Sequence, residues 1–185
     1  MSIYKFETDR IILRPLVKTD IESVYEYNSD YEVIKYMHEL SVKPDEIVPY
    51  KKTESFLETV EKEWKKENPS FYEFAVEIKS SLQKMIGNVC VYLNEDKTEG
   101  ELGWSFNRNF HGKGYATEAA MIVKKFAFEI LKVKRLIARC DERNIPSERV
   151  MQKIGLKLLW EHGYRKYPNT CEEATEKMYY EDNKD

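Results

Sequence analysis

Two glycines one residue apart, Gly112 and Gly114, interrupt the run Asn109-Phe110-His111-Gly112-Lys113-Gly114-Tyr115-Ala116-Thr117. An extended apolar stretch precedes them and a helical pattern follows. That arrangement suits one kind of chemistry, the holding of a phosphate by backbone amides. The first N–H groups of a helix have no partners inside it, and a Cβ on the turn before them would keep an anion from the backbone. Thr117 adds a hydroxyl to the same turn. The run is not a P-loop, which needs four residues between its glycines and Lys-Ser/Thr after the second. It is not the dinucleotide fingerprint either, because the third glycine is missing. Two readings remain: a short amide nest for a pyrophosphate, or a tight turn whose glycines serve geometry alone.

Other chemistries find less support. His38, His111 and His162 are scattered, so no metal site is expected. Cys90, Cys140 and Cys171 are odd in number and widely spaced, which points to a reducing, cytoplasmic setting rather than a disulfide framework. A formal net charge of -3 gives no basic field for nucleic acid or an anionic membrane. No apolar run approaches the ~20 residues of a membrane helix, and the N-terminus lacks a signal peptide's apolar core. With 42% hydrophobic and 34% charged residues, the 185-residue chain reads as one globular domain, residues 1–185.

The elements that must position the turn follow from periodicity. Residues 3–16 read as a first strand ending at Pro15. Thr19 or Asp20 caps a helix through Asn28, with Ile21, Val24, Tyr25 and Asn28 inward. A short helix over Tyr31 to Met37 and a loop from His38 to Pro49 come next. Thr53 to Glu67 is an amphipathic helix with Phe56, Leu57, Val60 and Trp64 on its stripe, and Asn68-Pro69 breaks it. The period then falls to two. Phe71 to Ile78, Met85 to Leu93 with Gly87 at a bulge, and Glu101 to Phe106 read as an antiparallel meander turned at Ser80-Ser81 and Asn94 to Lys97. Tyr115 to Leu131 is a helix burying Ala119, Ile122, Val123, Phe126, Ala127 and Ile130. Arg135 to Cys140 is a strand expected to pair in parallel with the Glu101 strand. A helix opened by Asn144-Ile145-Pro146-Ser147 ends at Gly155, and strands Leu156 to Tyr164 and Ala174 to Glu181 close the fold before a frayed tail, Asn183 to Asp185.

Three segments together resemble the GNAT superfamily of N-acyltransferases. Its cofactor motif, Gln/Arg-x-x-Gly-x-Gly/Ala, is matched by Gly112 and Gly114, with Asn109 standing where Gln or Arg is usual. Asn144-x-x-Ser147 followed by Val150 to Leu156 is similar to the family's next helix, with Leu156 in place of Phe. The opening Glu7 to Leu16 and the stretch Gly112 to Ala119 resemble the ribosomal-protein-alanine N-terminal acetyltransferase branch.

The resemblance implies a mixed α/β fold. Its central sheet is mostly antiparallel with helices on both faces, and a splayed parallel pair, here Glu101 to Phe106 and Arg135 to Cys140, holds the cofactor. It implies acetyl-CoA as cosubstrate and an amine as acceptor. The pantetheine arm would lie on the backbone of Trp104, Ser105 and Phe106, and the diphosphate on amides between His111, Gly112, Lys113, Gly114, Tyr115 and Ala116, with Thr117 beside them. Asn144 and Ser147 would meet the arm and the sulfur. Direct attack needs a neutral amine: an α-amino group is roughly a tenth neutral at pH 7, a lysine under about a thousandth. Glu101 is the expected base and Ser147 the group that meets the leaving thiolate; a solvent-facing strand residue and a helix cap are their plainer roles. Lys113 either steers phosphate or is a solvated turn residue. A covalent route through Cys140 lacks an adjacent histidine, so Cys140 is expected to pack in the core. Aromatic residues Tyr25, Tyr27, Tyr31, Tyr36 and Trp64 lie on the helices that border the acceptor cleft in this family, and Glu172, Glu173 and Glu176 are acids that would suit a cationic acceptor. A coenzyme A-binding sensor without activity and an ATP-binding module are the competing readings, and a homodimer is the default assembly.

Overall fold

The computed structural model describes residues 4–79 and 84–184. Eight strands make one sheet: β1 (Phe6–Glu7), β2 (Ile11–Pro15), β3 (Phe71–Ile78), β4 (Met85–Leu93), β5 (Glu99–Phe106), β6 (Arg135–Asp141), β7 (Lys157–Lys166) and β8 (Glu173–Asp182). Their order is β1-β2-β3-β4-β5-β6-β8-β7. Every neighbouring pair is antiparallel except β5 and β6, the parallel pair expected at the middle. The helices are α1 (Ile21–Asn28), α2 (Tyr31–Ile34), α3 (Tyr50–Trp64), α4 (Tyr115–Glu129) and α5 (Ile145–Lys153).

The helices cover both faces, as the mixed α/β reading requires. On one face α1 and α3 bury Val24, Tyr27, Leu57 and Val60 against Leu16, Ala75 and Met85. On the other, α4 and α5 bury Val123, Phe126, Ala127 and Met151 against Phe74, Val76, Val89, Leu102 and Leu136. Phe126 fixes the seat of α4: its ring meets Tyr4, Phe6, Tyr72 and Phe74 edge-on with centroids between 5.0 and 5.8 Å. The period-two reading of β3 holds, with Tyr72, Phe74 and Val76 all in that core.

Where structure and sequence reading differ, side chains replace the expected punctuation. The first strand is a hairpin, because the Thr8 hydroxyl accepts the amides of Arg10 at 3.1 Å and Ile11 at 3.0 Å and turns the chain without glycine. Helix α3 starts at Tyr50, earlier than expected, with Pro49 as its extended N-cap, and ends at Trp64 before Asn68-Pro69. In α1, Val24, Tyr27 and Asn28 are buried, while Tyr25 turns aside to stack edge-on with Tyr50, centroids 4.8 Å apart. Ile130 lies past the end of α4 and is 47% exposed, not core. Asn183 is not frayed: its amide donates to the Lys134 carbonyl at 2.8 Å and its side chain to that of Val133 at 3.1 Å. The Ser80-Ser81 turn and Asp185 lie outside the described residues. Near Gly87 the register jumps, Val76 pairing with Gly87 and Glu77 with Met85, so Ile86 is the extra residue of a bulge. A Cβ on Gly87 would stand 2.4 Å from the Ser105 carbonyl oxygen, which holds β4 and β5 in close contact at this point. Among the described residues no helix is long and apolar enough to cross a membrane.

Candidate active site

The parallel pair is short. β5 and β6 match only at Glu99↔Arg135, Gly100↔Leu136 and Glu101↔Ile137. Beyond that point β5 continues to Phe106 on β4, and β6 continues to Asp141 on β8. Each strand keeps its outer neighbour and loses its inner one, so two facing backbone edges carry N–H and C=O groups without a ladder between them. The Ile86 bulge faces the end of β5, and bulged strands twist more strongly, which turns β5 away from β6. The result is a wedge that opens toward the glycine turn.

That turn has the form of an amide nest. Gly112 and Gly114 have φ of +73° and +84°, the left-handed region that other residues enter at a cost. Gly114 is the N-cap of α4, and Glu118 is the first residue whose N–H finds the helix ladder, at 3.0 Å from the Gly114 carbonyl. The amides of Tyr115, Ala116 and Thr117 are therefore left pointing out of the helix start. A Cβ on Gly112 would meet nothing within 4 Å, so the space above the turn is open. Together the open space, the free amides and the positive helix end can hold a diphosphate.

The side chains of the turn do other work. His111 Nε2 donates to the Phe106 carbonyl at 2.7 Å and ties the turn to the end of β5. Lys113 folds back onto its own loop, donating to the Asn109 carbonyl at 3.0 Å and lying 5.2 Å from the Phe110 ring centroid. Trp104 and Phe106 face α4, Phe106 buried and Trp104 packed against the core. Ser105 is buried on the opposite face, its hydroxyl 3.7 Å from the Met37 sulfur.

Two residues behind the turn were not singled out by the sequence. Arg10 donates to the Lys113 carbonyl at 3.0 Å and to Glu118 Oε2 at 2.8 Å, and its guanidinium covers the Tyr115 ring at 4.9 Å. The Thr8 hydroxyl donates to the other Glu118 oxygen at 2.5 Å. The β1–β2 hairpin thus clamps the glycine turn from below, across a sequence gap that no local pattern reveals.

At the mouth of the wedge, Glu101 sits on the face away from α4. Arg139 of β6 engages both of its carboxylate oxygens, through Nε at 3.0 Å and through Nη2. Both carboxylate oxygens are thereby committed to one guanidinium. Across the wedge, Asn144 is the N-cap of α5 and its Oδ1 accepts the Ser147 amide at 3.3 Å. The cap is Asn144, and among the described residues no protein group hydrogen-bonds the half-buried Ser147 hydroxyl. Cys140 is 3% exposed in the core and burial pushes its thiol up to about 11, which leaves it unsuited to covalent transfer.

Other expected acceptor contacts are already engaged. Glu176 pairs with Arg165 in a mostly buried contact, Glu172 pairs with Arg143, and Glu173 accepts from Tyr164, so these acids do not form a free anionic patch. The Tyr27 hydroxyl is buried on Asn88, Trp64 packs between Tyr72 and Phe74, and Tyr36 lies under Arg143. No sequence pattern pointed to a further carboxylate on the Glu101 face, Glu73 of β3, which is 3% exposed. Among the described residues no cluster of His, Cys, Asp or Glu could hold a metal ion.

Comparison with known proteins gives one consistent result. A family model described as an acetyltransferase (GNAT) domain matches residues 10–157. The N-acetyltransferase YnaD of Bacillus subtilis (strain 168) is 33% identical over 150 residues, 81% of each chain. A GNAT-family acetyltransferase from Bacillus anthracis superposes with a TM-score of 0.81 at 27% identity, covering 98% of this chain and 100% of the other. A ribosomal-protein-S5-alanine acetyltransferase from Vibrio fischeri shares the fold, with a TM-score of 0.78 at 18% identity over 98% of both chains.

Proposed function

The chain belongs to the GNAT acetyltransferase family, with acetyl-CoA as its acyl donor, and from that premise we propose that it acetylates a primary amine by direct attack in a ternary complex. The observation that carries this reading is the wedge between β5 and β6 leading into the Gly112–Gly114 nest. A pantetheine arm can add to the open edge of β5 along Trp104, Ser105 and Phe106, as a strand would, while the diphosphate rests on the amides from His111 to Thr117. These contacts are to backbone, which is why Asn109 in place of Gln or Arg costs little.

The thioester then lies between Glu101 on β5 and Ser147 on α5. Glu101 is the carboxylate that meets the acceptor amine, accepting one N–H and turning the nitrogen lone pair toward the carbonyl carbon. A β5 amide between Trp104 and Phe106 receives the oxyanion. Ser147, its hydroxyl uncommitted, donates to the departing thiolate, and Asn144 anchors the arm while it caps the helix. The buried, weakly acidic Cys140 supports direct attack over a covalent intermediate. The acceptor belongs to the class of protein N-termini or small-molecule amines, and the chain acts in the cytoplasm, as a monomer or homodimer.

Calorimetry with acetyl-CoA tests the first half and thiol release across an amine panel tests the second. Saturable binding with amine-dependent thiol release is expected. Binding without release on any amine would favour a coenzyme A sensor on the same fold, and no binding at all would overturn the reading.

A further inference from the structure

Glu73 is a carboxylate without a cation. Its oxygens accept from Asn88 Nδ2 at 2.8 Å and from the Tyr92 hydroxyl at 3.0 Å, and Asn88 Oδ1 in turn accepts the buried Tyr27 hydroxyl at 2.8 Å. Every partner is neutral. The groups that face this line from the packed elements are Tyr27 of α1, Asp20 just before it, Glu63 of α3, Cys90 and Tyr92 of β4, and Glu101 of β5. All are acids, phenols or thiols. Nearby cations are spent elsewhere: Arg14 on Asp20 and Glu77, Lys66 on Glu63, Arg139 on Glu101. A charge buried this way is costly, so the group favours its protonated form, and burial pushes Glu73 up to about 7.

A core position needs no such residue. What Glu73 has instead is a route to the reaction site. Tyr92 pairs with Glu101 across β4 and β5, so both project from one face of the sheet, and the Tyr92 ring stacks on Phe71 of β3, which brings its hydroxyl to Glu73. Tyr92 is also the member of the line that reaches solvent, 41% exposed. Glu101 meets the amine but has both oxygens on Arg139. The site therefore holds one carboxylate placed to orient the amine and another placed to accept a proton.

We infer that Glu73, acting through the Tyr92 hydroxyl, takes the proton released when the acceptor amine is acylated. The step balances. The amine lone pair forms the C–N bond and the C–S bond breaks, its electron pair leaving with the thiolate, which the Ser147 hydroxyl hydrogen-bonds and which takes its proton from solvent. The surplus N–H proton passes by way of a water on the exposed flank of Tyr92 to the phenolic oxygen, as the Tyr92 O–H proton passes to Glu73. Glu73 returns it to solvent by the same path before the next turnover. A group that titrates near neutrality suits this exchange.

The inference rests on the transferase reading, and its test separates the two. kcat/KM for one amine that turns over is measured from pH 5.5 to 9 in wild type, Glu73→Gln, Tyr92→Phe and Glu101→Gln, with acetyl-CoA calorimetry on each. Wild type is expected to lose a second factor of about tenfold per pH unit below about 7, on top of the tenfold per unit that protonation of the acceptor amine imposes there. Glu73→Gln keeps the bond from Asn88 and reverses the one to Tyr92, its new amide donating to the phenolic oxygen, and it should lower kcat roughly 10²-fold and abolish that limb, with acetyl-CoA affinity within about twofold of wild type. Tyr92→Phe, which leaves Glu73 in place, should do the same and carries the test if the Gln variant does not fold. Glu101→Gln should lower kcat but keep the limb. An unchanged limb in Glu73→Gln or Tyr92→Phe, or a limb lost only in Glu101→Gln, overturns the role of Glu73 alone. A wild type that binds acetyl-CoA and acylates no amine overturns the transferase reading and this inference with it.

Discussion

Replacing Gly112 by alanine separates the two jobs a glycine can do. The residue sits at φ +73°, where alanine costs about 1–2 kcal/mol in folding, or roughly 2–8 °C of melting temperature for a chain of this size. No packing penalty adds to this, because the new Cβ meets nothing within 4 Å. The same open space is where the diphosphate is proposed to sit, so the methyl group costs cofactor contact instead. Losing one charge-assisted amide–phosphate bond is worth about 1.5–3 kcal/mol, a 10- to 150-fold rise in Kd. Gly155 supplies the control. Its φ is +87°, and its Cβ would come only within 3.6 Å of the flexible Lys124 Nζ, on the far side of α5 from the nest. Gly155→Ala should therefore lose similar stability and no affinity. Calorimetry with acetyl-CoA and thermal unfolding of both variants decide it. Equal melting losses with unchanged acetyl-CoA affinity in Gly112→Ala would refute the placement of the diphosphate.

The clamp below the turn makes its own prediction: Arg10→Ala removes the bond to the Lys113 carbonyl and the Glu118 pair, and should weaken acetyl-CoA binding roughly tenfold by calorimetry while leaving circular dichroism unchanged. Ser147→Ala leaves the Asn144 cap intact, so stopped-flow acylation should slow about 10–10²-fold with melting unchanged; wild-type turnover would reduce Ser147 to a structural residue. Glu73 also predicts a pH dependence of stability. Its folded value, about 7, lies above the ordinary 4.5, so between those values the folded state holds more protons than the unfolded one, and stability falls as pH rises. The shift amounts to about 3 kcal/mol, fully felt above pH 7. Glu73→Gln should therefore gain melting temperature over wild type more at pH 8 than at pH 5, and equal gains at both would show that the carboxyl is not held protonated.

Sheet and helices were legible wherever periodicity is strong. β3 and β4 were placed to the residue, and Gly155 closed its helix at φ +87°, because alternation and left-handed caps are local properties. The left-handed glycine turn before α4 was legible for the same reason. What the sequence did not reveal depends on distant partners. Thr8 reads as a strand residue until its hydroxyl turns the chain, and Arg10 has meaning only beside Glu118. Glu73 alternates as an outward residue of β3, yet α1 and α3 cover that face and bury it. Glu101 was legible as a carboxylate on β5, but its guanidinium partner lies one strand away.

The short β5–β6 ladder has a mechanical consequence. Among the described residues three residue pairs join the five strands on one side to the three on the other within the sheet, so the sheet is two panels hinged at Glu99 to Glu101. Beyond the hinge, relative motion of the panels is resisted by the helices packed across them and not by backbone bonding. A ligand that bonds both open edges would act as a stitch. Amides of β5 and β6 beyond the hinge would then exchange slowly only with the ligand bound, coupling the stiffness of the whole sheet to the loading of one cleft.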